Sequence, residues 1–186
     1  MKRLLLLAPT LALLVGCGYN QIQTLDERIN AAESQIKVQL QRRADLIPNL
    51  VETVKAYAKQ EQTIFTAVAE ARAKLAGAVQ GGNLQEMAQA NNELTASLGR
   101  LLAIVENYPQ LKSNENFRAL QDQLEGTENR IATSRQDYNE TVNTYNAYIR
   151  RFPQVLTAKV LGKKPRQYFE LQTPGAAEAP KVDFSH

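Results

Sequence analysis

The sequence is poor in the residues that catalysis and covalent cross-linking need. Its 186 residues include one cysteine, Cys17, one histidine, His186, at the final position, and no tryptophan. A single cysteine cannot form an intramolecular disulfide. A single terminal histidine argues against Ser-His-Asp triads, Cys-His pairs and the Glu-x-x-His ligands of di-iron bundles. We therefore expect a protein that is not an enzyme and that has no metal ion and no small-molecule cofactor.

Long apolar runs are also missing. The apolar stretch at residues 4–15 is 12 residues long, whereas a membrane-spanning helix needs about 20. It follows the basic residues Lys2 and Arg3 and ends in small residues, which is typical of a secretory signal. Removal of residues 1–16 lowers the formal charge from +3 to +1, and a nearly neutral chain argues against nucleic-acid binding.

Residues 14–17 read Leu-Val-Gly-Cys, which resembles the lipobox of bacterial lipoproteins. The resemblance implies cleavage between Gly16 and Cys17 and acylation of Cys17 with palmitate-like chains, and two or more chains anchor a protein stably. It also implies an extracytoplasmic place in the bacterial envelope. Because Gly18 rather than Asp follows the cysteine, the expected place is the periplasmic face of the outer membrane if the host has two membranes. The alternatives are a buried cysteine after an ordinary signal peptide and an uncleaved signal anchor.

Apolar residues recur at spacings of three and four along most of the remaining chain, which predicts helices that pack along their length. Asp45 and Pro48 indicate the start of a second helix, Gly81 and Gly82 a loop, and Asn114 the cap of a fourth helix. The predicted helices span about residues 20–45, 46–79, 84–108 and 114–152, with a short fifth at 154–161. The fold class is therefore all-α, an antiparallel helical bundle of four main long helices and a short C-terminal helix. Its expected limits are residues 17–170, followed by a flexible tail at 171–186.

Several segments together resemble the LemA family over about residues 19–169. The segments are residues 36–58, which include Arg-Arg-Ala-Asp-Leu-Ile-Pro-Asn-Leu-Val, residues 106–112 and 125–131, the pairs Tyr138-Asn139 and Tyr145-Asn146, Phe152-Pro153, and the ending at 180–184. The resemblance implies a helical bundle at a bacterial envelope and no established reaction. Many members carry an uncleaved spanning helix at the N-terminus, and this sequence has the lipobox instead.

The family-like segments contain most of the candidate functional residues. A structural polar network is predicted from Arg42, Arg43, Asp45, Asn49, Glu106, Glu125, Glu128 and Asn129. The cluster at residues 42–45 also allows a partner-docking patch or a lipid-headgroup site. Glu125 and Glu128 share a helix face, and paired carboxylates support acid–base chemistry when they are desolvated. Helix caps, surface charges or partners for Arg42 and Arg43 are the alternatives.

These features favour a non-enzymatic envelope lipoprotein that contacts the membrane through its lipid anchor and uses its helices for partner binding or self-association. A second hypothesis is an adaptor subunit of an envelope protease or other enzyme. It docks through the tail, where Val182 and Phe184 alternate with polar residues in a strand-like pattern. A carboxylate-based hydrolase is a remote third. The aromatic row Tyr138, Tyr145 and Tyr148 is expected in a core or an interface.

Overall fold

The structure is a computed structural model that describes the backbone of residues 7–169 and the side chains of residues 18–169. Within these residues every regular element is a helix. The helices are α1 (Leu7–Lys55), α2 (Gln62–Gly81), α3 (Leu84–Val105), α4 (Pro109–Lys112), α5 (Glu115–Arg150) and α6 (Gln154–Val160). The predicted all-α class is confirmed, with four long helices and a short C-terminal one. The predicted domain limits, residues 17–170, remain a prediction.

The chain divides into two compact units. Unit 1 comprises Met1–Leu46 and Ala119–Tyr168, and unit 2 comprises Ile47–Arg118 and Phe169–His186. In unit 1, α1 and α5 run antiparallel, because Arg43 pairs with Glu128 whereas Asp26, earlier in α1, faces the chain that follows α5. Most of the buried side chains of these two helices are apolar: Ile22, Leu25, Ile29, Ile36, Leu40, Ala44, Ile131, Tyr138, Val142, Tyr145 and Ile149.

In unit 2, α2 and α3 form an antiparallel pair. Gly82 ends α2 with φ 74°, a left-handed conformation that glycine adopts without steric cost. The Asn83 side chain then caps α3 by accepting hydrogen bonds from the backbone N–H groups of Gln85 and Glu86. The predicted loop is therefore confirmed at Gly82 and Asn83, whereas Gly81 belongs to α2, which extends two residues further than expected.

The predicted helix boundary at Pro48 is wrong. Pro48 lies inside α1, which continues to Lys55, and Asp45 is an exposed mid-helix residue that accepts a hydrogen bond from Gln41 rather than a helix cap. The physical reason is the apolar face of α1, which continues past the proline. The face is buried at Ala44, Ile47, Leu50, Val51 and Val54. Packing of this face outweighs the backbone hydrogen bond that Pro48 cannot donate.

Other boundaries differ less from prediction. Helix α1 starts at Leu7 rather than near residue 20, because the apolar leucine- and alanine-rich run has high helix propensity. Pro109 follows the end of α3 and occupies the first turn of α4, where proline is favoured. The Asn114 side chain accepts from the N–H of Phe117, as expected of the α5 cap. No helix in the described part of the chain is both long and apolar enough to cross a membrane.

Candidate functional site

Unit 1 contains a charged cluster made by buried Arg43 and the partly exposed Glu128 and Arg135. Arg43 is 4% exposed, and its guanidinium pairs with the Glu128 carboxylate. Burial lowers the pKa of Arg43, and the charge of Glu128 partly offsets this effect. Burial also lowers the pKa of Arg135, and the charge of Glu128 again partly offsets this effect. The charge of Glu128 therefore offsets part of the effect of burial on the pKa of two guanidinium groups.

This cluster contains two of the eight residues predicted for a polar network. Asp45, described above, and the exposed Arg42, Glu125 and Asn129 lie in unit 1 outside the pair. Asn49 and Glu106 lie in unit 2, where Asn49 is exposed and Glu106 pairs with Lys112 at 2.6 Å. Arg135 was not predicted. Its position seven residues after Glu128 places it on the same helix face, and that spacing could have identified it.

The Glu125–Glu128 pair lacks the surroundings that acid–base chemistry requires. Glu125 is exposed, and the charge of Glu128 is compensated by Arg43. A catalytic carboxylate needs desolvation or a like charge to raise its pKa, and Glu128 has cationic neighbours instead. In the part of the chain that the structure describes, no three His, Cys, Asp or Glu side chains are placed to hold a metal ion.

A second polar cluster in unit 1 was not predicted from the sequence. Asp26 of α1 accepts hydrogen bonds from Lys163 at 2.6 Å and from Arg166 at 2.8 and 3.1 Å. Burial alone raises the pKa of Asp26, but the hydrogen bonds from Lys163 and Arg166 outweigh it and hold that pKa below its ordinary value. Asn30 also accepts from Arg166 at 3.0 Å.

Residues 163–168, which we call the strap, follow α6 without helix or strand structure. Buried Asn146 of α5 receives the Arg166 N–H at 2.8 Å and donates to the Arg166 carbonyl at 2.9 Å. Tyr138 donates to the Gln167 carbonyl at 3.0 Å, and Tyr145 donates more weakly to Lys164 at 3.4 Å. Tyr138 and Tyr145, two members of the tyrosine row, therefore hold the strap through their hydroxyl groups. The Tyr-Asn pairs, seven residues apart, were the sequence signal for this arrangement.

The strap and Asp26 hold α6 close to the start of the described part of unit 1. Gly18 is buried, and a Cβ atom at Gly18 would lie 3.4 Å from the Gln154 Cγ and 3.8 Å from the Thr157 Oγ1. The residue that directly follows Cys17 is therefore packed within unit 1. The side chains of Gly16, Cys17, Val182 and Phe184 lie outside the described residues, as does the segment predicted as a tail.

Comparison with known proteins gives a family and three relatives. The sequence profile of the LemA family matches residues 32–184. The chain is 32% identical over 180 residues to Magnetosome protein MamQ 1 and MamQ 2 of Paramagnetospirillum magneticum. It is 31% identical over 180 residues to Magnetosome protein MamQ of Magnetospirillum gryphiswaldense. Each match covers 84% of this chain but 66% of the relative, so the chain spans slightly less than two thirds of their length. The chain belongs to the LemA family.

Proposed function

We propose that this protein is a non-catalytic lipoprotein of the bacterial envelope that holds its helical units at a membrane surface to bind a protein partner or a second copy of itself. The observation that carries the proposal is the burial of Gly18 against α6, directly after the lipobox cysteine. Because Gly18 is itself packed in unit 1, no free linker follows Cys17. Acyl chains on Cys17 would therefore hold unit 1 directly against the bilayer.

The charged clusters support a structural rather than a catalytic function. Arg43 and Glu128 compensate each other inside unit 1, and Asp26 holds Lys163 and Arg166. The pKa of Asp26 is held below its ordinary value, whereas a general acid or base works best with a pKa near the ambient pH. These residues therefore suit a rigid support for binding.

The relatives support only the general part of this proposal, which is association with a membrane. They are named for the magnetosome, and that name describes those proteins. For this chain we propose association with an envelope membrane through Cys17, with a molecular role in assembly or partner binding.

The proposal is tested by photo-crosslinking in cells. A photoreactive amino acid is placed at Val38 of unit 1 or Tyr57 of unit 2, both exposed, in the otherwise native chain and in Cys17→Ser. We expect the native chain to be released from membranes by detergent but not by salt, and to give a discrete crosslinked species. The Cys17→Ser chain should lose that species. A native chain that is released by salt, or that yields only monomer from both positions, would contradict the proposal.

An adaptor function through the tail is the second candidate, favoured by the extent of the family match. The LemA profile continues to residue 184 and so includes Val182 and Phe184. If these residues dock as a strand on a partner, Val182→Ala with Phe184→Ala should abolish the crosslinked species. Asp183→Ala is the matched control, because a strand would point it to the opposite side. Retention of the species in the double variant would reject this candidate.

A further inference from the structure

The outer face of α6 and the turn that precedes it carry a row of exposed apolar side chains. Phe152, Leu156 and Val160 are 81%, 50% and 76% exposed, and their spacing of four residues aligns Leu156 with Val160 on one side of the helix. The opposite side of α6 is buried through Thr157 and Ala158. We call Phe152, Leu156 and Val160 the α6 stripe.

The chain around the α6 stripe is strongly basic. Residues 141–169 contain six Lys and Arg residues and no Asp or Glu, so the rest of the chain carries a formal charge of −3. Asp26 of α1 pairs with two of the six, Lys163 and Arg166. The other four are exposed and flank the stripe: Arg150, Arg151, Lys159 and Lys164.

Helix α6 also lies beside α1 at Gly18. The contacts of Gly18 with Gln154 and Thr157 place α6 next to the residue that follows Cys17. The next residue, Tyr19, is 46% exposed, and tyrosine suits the boundary between lipid and water. Between Gly18 and Leu25 the chain carries no charged residue.

From these three features we propose that α6 lies flat on an anionic phospholipid bilayer beside the acylated Cys17. The α6 stripe enters the boundary between headgroups and acyl chains, and Arg150, Arg151 and Lys159 contact lipid phosphates. The occupant is a lipid surface rather than a protein because residues 141–169 combine the exposed apolar stripe with six basic residues and contain no acidic residue, which is the composition of interfacial helices. The proposal rests on the lipid anchor proposed above.

The anchor makes this contact effective although α6 is short. Seven helical residues extend only about 10 Å, and a stripe of three side chains binds a bilayer weakly by itself. Acyl chains on Cys17 keep the stripe close to the surface, which turns docking into an intramolecular event with a high effective concentration. Each exposed cation near an anionic surface favours the docked state by roughly fivefold.

The absence of tryptophan from the sequence allows a direct test. Leu156→Trp places a single indole on the α6 stripe. Val38→Trp is the matched control, since Val38 also belongs to unit 1 and is 56% exposed, but lies 20 residues, or about 30 Å of helix, beyond Gly18. Each full-length variant is purified from membranes in detergent, checked for native helicity, and reconstituted into vesicles of phosphatidylcholine with or without 30% phosphatidylglycerol. The lipids carry bromine on their acyl chains as a fluorescence quencher.

The expected result is quenching and a blue shift of the Leu156→Trp emission in anionic vesicles, with the Val38→Trp emission unchanged. Co-sedimentation with the vesicles reports the anchor separately. Vesicle-bound protein in which both indoles stay unquenched would overturn the docking proposal and leave the anchor intact. Equal quenching of both indoles would also overturn it, because the whole of α1 would then lie on the bilayer. Protein that does not sediment with vesicles would contradict the anchor and the docking proposal together.

The charge requirement is tested in the Leu156→Trp background. Neutralising Arg150, Arg151 and Lys159 to Gln should reduce the quenching in anionic vesicles to the level seen in neutral ones. Neutralising Arg118, Arg72 and Lys59 of unit 2 to Gln removes the same number of charges elsewhere and should leave the quenching unchanged. Equal quenching before and after the first set of changes would reject the electrostatic part of the proposal.

Discussion

Asp26 and Arg166 are 140 residues apart in the sequence, and the Asp26 carboxylate accepts two hydrogen bonds from the Arg166 guanidinium, at 2.8 and 3.1 Å. The contact joins the first turns of the packed part of α1 to the strap that follows α6. It thereby fixes α6 at the end of unit 1 where the chain continues back to Cys17. This contact and the packing of Gly18 together place α6 in unit 1.

The Asp26 contact predicts a loss of stability in acid. The pKa of Asp26 is lower in the folded protein than in the unfolded chain, so its contribution is fully present above the unfolded pKa of about 3.9. It is lost as the pH falls through the folded value. Urea unfolding at a series of pH values should show Asp26→Asn less stable than the native chain at pH 6, with the difference shrinking below pH about 4. A difference that stayed constant down to pH 2 would show that Asp26 stabilises unit 1 without its charge.

Replacement of Asn146 by Ala should release the strap. The side chain exchanges two hydrogen bonds with the backbone of Arg166, and loss of a buried polar partner costs about 1–3 kcal/mol. We expect faster hydrogen exchange at residues 163–168 and a lower free energy of unfolding. Asn129→Ala is the control, because Asn129 is exposed on the same helix. Unchanged exchange at the Arg166 amide would mean that the tyrosine hydroxyls hold the strap without Asn146.

The charged cluster of unit 1 predicts that substitution of Glu128 lowers the free energy of unfolding more than substitution of Glu125. Glu128→Gln leaves Arg43 buried without its carboxylate partner, which should cost about 1–3 kcal/mol in the free energy of unfolding. Glu125→Gln changes an exposed carboxylate one helical turn away and should cost less than about 0.5 kcal/mol. Chemical denaturation measures both. Equal effects of the two substitutions would contradict a structural function for the Arg43–Glu128 pair.

Pro48 lies inside a helix, so its replacement by Ala should stabilise the protein. Alanine restores an N–H donor and removes the clash with the preceding turn, which together amount to about 1–3 kcal/mol. Pro109→Ala is the control, because Pro109 occupies the first turn of α4, where proline is favoured. Thermal unfolding should show a higher midpoint for Pro48→Ala alone. A lower midpoint for Pro48→Ala would indicate a helix start at this position in solution.

The sequence predicts helices well because helix signals are local. The Gly82 and Asn83 loop and the Asn114 cap each depend on residues within one turn, and both agree with the structure. Pro48 was misread because the local rule for proline took no account of the apolar face that continues to Val54. The strap was missed because it has no periodicity and its partners lie far away in sequence. Its sequence signal lay in its partners on α5, the Tyr-Asn pairs at 138–139 and 145–146.

The candidate site was predictable only in part, for a related reason. Arg43 and Glu128 were named as members of one network, and they pair. The other six predicted residues belong to the same family-like segments of the sequence, but they do not share one location in the structure. Membership of a family motif identifies residues that matter together for the family. Whether two of these residues touch depends on which helices pair and on which helix faces meet. Asn49 and Glu106, for example, lie in unit 2.

Intact-mass spectrometry of the protein purified from native membranes tests the central claim, the lipid anchor at Cys17, most directly. The account predicts the mass of residues 17–186 plus a diacylglyceryl group and one amide-linked acyl chain, with N-terminal fragments that place the added mass on Cys17. The Cys17→Ser chain should carry no such addition. An unmodified chain that retains residues 1–16, or a cleaved chain without lipid, would contradict the account.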